Sequence, residues 1–188
     1  MRISLVLAAL LAALLHAPPA HAGRAWAWAE DARLPNDSAN CTREAVSQAT
    51  RAYTVVRCTA SGVTSKFHLR FQMPPDMPNN GPAAKFHIQT AAGVTGDCTW
   101  EVSLVALPAL SSLSAAIPGG TYQSVAQTLA AAETRRVTAA TSAIPIKNLN
   151  TGVTCTGSDC LQMDLVAIVR LNAKTASSCD FTVLELTY

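Results

Sequence analysis

From residue 53 onward the chain is dominated by short apolar–polar alternations separated by clusters of turn-forming residues. Residues 66–72 show the cleanest case: Phe67, Leu69 and Phe71 fall on one face, His68, Arg70 and Gln72 on the other. Successive side chains of a strand point to opposite faces, so this period predicts a half-buried β-strand. The same argument predicts strands at residues 53–58, at 85–90 with Phe86 and Ile88 together, and at 98–107 with Trp100, Val102 and Leu104 together. Residues 161–171 read as a long strand rich in β-branched side chains. Residues 179–188 read as a closing strand with Leu184, Leu186 and Tyr188 on its buried side.

The remaining segments are less regular. Pro74, Pro75, Pro78, Asn79, Asn80, Gly81 and Pro82 make a long turn-rich break, 108–120 is small, apolar and loop-like, and 148–159 is a polar loop. Residues 122–132 are read as a strand because their neighbours are strands, although Val125 and Leu129 also fit a helix. Residues 42–52 leave open a strand or a short helix, and 141–147, interrupted by Pro145, suits a sheet edge. Residues 23–40 form a polar, alanine-rich lead-in whose Trp26-Ala27-Trp28 alternation either lies along a sheet edge or belongs to a mobile arm. Strands at this spacing, without regular intervening helices, predict an all-β chain folded as an antiparallel β-sandwich.

The N-terminus adds an address. Arg2 supplies a positive start, residues 3–15 are almost unbrokenly apolar, and Ala20-His21-Ala22 is a small-residue cleavage signature before Gly23. These are the parts of a secretory signal peptide, and the apolar stretch is shorter than the roughly 20 residues a spanning helix needs. The expected organisation is a signal peptide at 1–22, an N-terminal arm at 23–40 and a β-sandwich domain at 41–188, with a periplasmic or extracellular location. Charge is nearly balanced, 14 Lys and Arg against 12 Asp and Glu, which argues against nucleic acid as a partner. No basic amphipathic segment suggests membrane insertion after cleavage. Aromatics make up only 5% of the chain, so Val, Ile and Leu must fill most of the core.

Six cysteines in an exported chain predict disulfides. Cys155 and Cys160 bracket a short polar turn, Cys41 and Cys58 flank the first structured segment, and Cys98 and Cys179 each open a strand. Those placements suggest the pairs 155–160, 41–58 and 98–179, although six cysteines allow 15 connectivities. No spacing of Cys or His matches a zinc site, and neither a metal nor another cofactor is expected. His68 and His87, the two histidines beyond the leader, read as polar residues opposite a core-facing Phe. No Gly-x-Ser-x-Gly elbow or phosphate-cradling loop occurs, and Asp76, Asp159, Asp164 and Asp180 are dispersed acids. Trp26 and Trp28 are the candidate interface residues, since neither belongs to a core face by periodicity, whereas Trp100 does.

The succession Phe71-Gln72-Met73-Pro74, then Lys85-Phe86-His87-Ile88, then Cys98-Thr99-Trp100-Glu101-Val102, and the closing Val183-Leu184-Glu185-Leu186-Thr187-Tyr188 carries a resemblance. Over about residues 66–188 it resembles the single jelly-roll domain of tail-, fibre- or capsid-associated structural proteins of bacterial viruses and prophage-like regions. The resemblance implies a jelly-roll-like sandwich with a structural or receptor-facing role. The export signal and the six cysteines depart from that family. The expected function is an exported, non-enzymatic structural or adhesive subunit, contacting copies of itself or another cell-surface protein. The alternative is a secreted module that binds carbohydrate or another small ligand.

Overall fold

The computed structural model describes residues 23–36, 38–48, 51–74, 77, 81–89, 93–107, 122–129, 135–155, 160 and 163–188. Residues 1–22, which hold the expected signal peptide, Asp76, Asp159 and residues 108–120 lie outside these. The described strands are β1 (Arg24–Trp28), β2 (Cys41–Gln48), β3 (Arg51–Cys58), β4 (Lys66–Gln72), β5 (Ala83–Gln89), β6 (Gly96–Leu107), β7 (Gln123–Leu129), β8 (Arg135–Val137), β9 (Ile146–Asn148), β10 (Asp164–Lys174) and β11 (Cys179–Thr187). One turn of 3-10 helix, Ala29–Asp31, follows β1.

One sheet runs β2-β3-β11-β5-β8 and the other β4-β10-β6-β7. Leaving out β1, β2 and β9, the antiparallel pairs nest. β3 pairs with β11, β4 with β10, β5 with β8, and β6 with β7. First pairs with last, second with second-last, and successive pairs alternate between the two sheets. That nesting is the jelly roll, two Greek keys wound into a sandwich.

The short strands extend its edges. β1 takes over the edge of β11 where β3 leaves it: β3 pairs with residues 179–181 and β1 with residues 183–187. β9 runs parallel to β6 at residues 104–106, beyond the end of β7, so this sheet is mixed rather than wholly antiparallel. Residues 41–48 form a strand, because every position from Cys41 to Gln48 pairs with β3. The helix left open there is lost to that ladder, a long-range pairing that local composition does not announce. Gly81 enters β5 at φ +79°, and any Cβ there would collide with the Ile144 carbonyl.

Between the sheets, the inward faces of β4, β5, β6, β10 and β11 meet around Phe67, Phe86, Trp100 and Phe181, all fully buried. Phe67 and Phe181 lie 4.8 Å apart between centroids, and Trp100 sits 5.9 Å from Phe181. Burying each such side chain stabilises the fold by about 1.5–3 kcal/mol. Leu184 and Leu186 join this core, as the alternation predicts, while Tyr188 is only half-buried. Three disulfides brace it: Cys41–Cys58 across the β2–β3 ladder, Cys98–Cys179 between the two sheets, and Cys155–Cys160 within a loop. Such bridges form and persist in oxidising compartments. Among the described residues no helix is long and apolar enough to cross a membrane.

Candidate functional site

β1 carries the least conventional surface of the sandwich. Its sequence Arg-Ala-Trp-Ala-Trp alternates by size: Ala27 is buried in the core and Ala25 packs against it, while Arg24, Trp26 and Trp28 face outward. Trp26 is 42% and Trp28 48% exposed, whereas Trp100 is fully buried. Two residues along a strand span about 6.8 Å, so the two indoles form one continuous shelf.

A polar pair lies under that shelf. Trp26 is registered opposite Glu185 of β11, and the next strand supplies His87. The indole of Trp26 meets the His87 ring at 5.3 Å between centroids and 63° between planes. A hydrogen bond of 3.0 Å joins His87 Nε2 to Glu185 Oε2, and both residues are more than nine-tenths buried. Such a bond places the proton on Nε2 while the carboxylate is ionised. Glu185 Oε1 accepts no hydrogen bond and has Arg24 Nη1 3.6 Å away. The shelf therefore combines two aromatic faces with a cation at its rim and a covered carboxylate beneath it.

Alternation sets His68 and His87 opposite the core-facing Phe67 and Phe86, and the structure covers them from outside. Both read as polar residues on an outward face, yet His68 is 8% and His87 6% exposed. They also lie in different sheets, β4 and β5. His87 is covered by Trp26, and His68 is flanked by a crossing segment. Arg33 pairs with His68 through two backbone hydrogen bonds of 2.9 Å. This crossing builds a recess of about 300 Å³ lined by Asp31, Arg33, His68 and Arg70; Asp31 and Arg33 also line an open groove bearing Glu30, Leu34, Thr42 and Arg43. Neither the recess nor the His87–Glu185 pair was expected from the sequence. The one signal for the latter was a lone acid, Glu185, on the face of the closing strand opposite Leu184 and Leu186.

The other candidates separate. Asp164 stands 3.5 Å from Arg70, and Asp180 binds Arg57 in the opposite sheet, so these two acids do not share a site. Among the described residues no group of three or more His, Cys, Asp or Glu could hold a metal ion. Tyr122 lies under the Arg170 guanidinium, 4.2 Å from it, and Arg170 is hydrogen-bonded to Glu101. Burial pushes the Tyr122 phenol up, against the opposing effect of Arg170. Asn40 Nδ2 donates to the Thr64 and Ser65 hydroxyls.

Fold and surface together define the chain as a disulfide-braced jelly roll with a tryptophan-bearing edge. Compared with protein-family models and with curated proteins, the chain finds no match.

Proposed function

We propose that this protein is an exported, non-enzymatic jelly-roll subunit, structural or adhesive, that works through the Trp26–Trp28 shelf. The observation that supports this reading is the exposure of the two indoles on a strand paired to β11, in a chain with few aromatics. Tryptophan, with tyrosine and arginine, is enriched among the residues that carry the binding energy of protein interfaces. The leader-like residues 1–22 and the oxidised cysteines support export to the periplasm or beyond. The resemblance to jelly-roll structural proteins of bacterial viruses supports a structural or receptor-facing role.

A carbohydrate-binding module is the second reading, favoured by the polar groups of Arg24, His87 and Glu185 beside the indoles. Oxidative footprinting tests the proposal. Trp26 and Trp28 should be modified readily in the purified protein and protected on the surface where it accumulates. Equal modification of both indoles in the two settings would count against it.

A further inference from the structure

The backbone of β1 presents the same residues as its side chains. Gly23 N donates to Tyr188 O at 2.7 Å and Tyr188 N donates to Gly23 O at 3.1 Å, so these two residues form a mutually bonded pair. In an antiparallel ladder mutually bonded pairs alternate with non-bonded ones. Given the register Ala25↔Leu186 and Ala27↔Leu184, those pairs are bonded, and the N–H and C=O groups of Arg24, Trp26 and Trp28 point away from β11. β1 pairs with no other described strand. Among the described residues, the outward edge of β1 thus has no strand partner at the residues that carry the exposed indoles. An apolar, unpaired edge of this kind is a template for another strand.

We propose that the occupant of this edge is a second copy of β1, running antiparallel about a two-fold axis at Trp26. This rests on the reading of the shelf as a contact surface and names its partner. Three features favour a second copy. The strand is self-complementary in charge: Arg24 stands at its start and Glu30 and Asp31 just beyond its end, so an antiparallel mate brings opposite charges together and a parallel one brings like charges together. With the axis at Trp26, the whole of Arg24–Trp28 overlaps. Arg24 lies opposite Trp28 of the second copy, a cation over an indole face. The outward backbone groups then bond mutually at Arg24, Trp26 and Trp28, and a two-fold contact closes at two copies.

The size of the contact sets its strength. A fully covered aromatic side chain buries roughly 150–250 Å², so the exposed parts of four tryptophans supply about 500 Å² at most. Interfaces below about 1,200 Å² in total are weak and transient, so the dimer is reversible and dependent on concentration.

Sedimentation across a concentration series, together with two single-cysteine variants of the chain from Gly23, tests the inference. Directly opposed bonded residues have Cα atoms about 5.5 Å apart, within disulfide range, while positions displaced along the ladder do not. Trp26→Cys should therefore give at least about tenfold more covalent dimer than Trp28→Cys under the same mild oxidation. A wild-type chain that sediments as a monomer at every concentration would overturn the proposal. So would Trp28→Cys cross-linking as readily as Trp26→Cys. A monomer whose indoles are quenched on adding a soluble glycan would overturn the dimer and leave the shelf a ligand surface. Footprinting of the shelf where the protein accumulates is a separate readout and can still succeed if the dimer fails.

Discussion

The indole of Trp26 packs against His87, a polar position on the sheet face that is only 6% exposed. The ring of His87 lies edge-on to the indole at 5.3 Å, and its Nε2 is spent on Glu185 at 3.0 Å. Strand β1 therefore both shields a polar pair and presents the exposed half of its own tryptophan. Removing the carboxylate should cost His87 its hydrogen bond to Glu185. We expect Glu185→Ala to lower unfolding free energy by about 1–3 kcal/mol, the contribution of a buried hydrogen bond to a carboxylate. Urea denaturation measures it, and an unchanged midpoint would mean the pair contributes nothing to the fold.

Arg57 forms a two-pronged contact with Asp180, Nε to Oδ1 at 2.8 Å and Nη2 to Oδ2 at 2.7 Å, and also reaches Glu44. The hydrogen bonds from Arg57 to Asp180 hold the guanidinium proton more tightly than usual, against the opposing effect of burial. The Asp180 side chain is only 3% exposed, so deleting its partner leaves a covered charge. Arg57→Ala should cost about 3–5 kcal/mol. Arg57→Lys should recover only part of that, because an ammonium cannot make the planar fork. Full recovery with lysine would show that charge alone matters here.

The three bridges differ in the chain they close. Cys98–Cys179 spans 81 residues, Cys41–Cys58 spans 17 and Cys155–Cys160 spans 5. If the bridges act by restricting the unfolded chain, their contributions are about 4.5, 3 and 2 kcal/mol respectively. Paired Cys→Ser variants, each melted separately, should lose stability in that order. A reversed order would mean that native packing at the bridge, rather than loop closure, sets its contribution.

Tyr122 provides a pH signature on the other sheet. Its phenol titrates above the ordinary value of 10.0, chiefly through burial. The folded state thus holds this proton more tightly than the unfolded one. The associated stability is present below pH 10 and is lost as the pH rises through the folded-state pKa. Ultraviolet titration of the three tyrosines should show a late-ionising phenol that Tyr122→Phe removes. If the late component persists in that variant, it belongs to Tyr53 or Tyr188.

The strands legible in the sequence were those with a two-residue period and one buried face: β4, β5, β6 and β11 each place Phe, Trp, Ile or Leu inward as the alternation requires. β2 was ambiguous because Thr42 to Ser47 carry little apolar alternation, and its ladder with β3 decides its state. β8 is three residues long, too short to leave a pattern. The burial of His87 and His68 could not be read from their own strands, since it depends on Trp26 and Arg33, which arrive from the N-terminal segment. Trp26 and Trp28 were legible as outsiders to the core. Their shared shelf became visible only with the β1–β11 register.

The central claim is that the two exposed indoles are the working surface of the protein, and retention of a Trp26→Ala/Trp28→Ala variant tests it most directly. The measurement is the amount of the protein bound to the surface where the wild type accumulates, against the amount free in the surrounding medium. Tryptophan anchors at an interface are worth about 2 kcal/mol or more each, or roughly 30-fold in affinity. The double variant should keep its melting temperature within a few degrees and be found almost entirely free. A variant that folds as well as the wild type and is retained equally would contradict it.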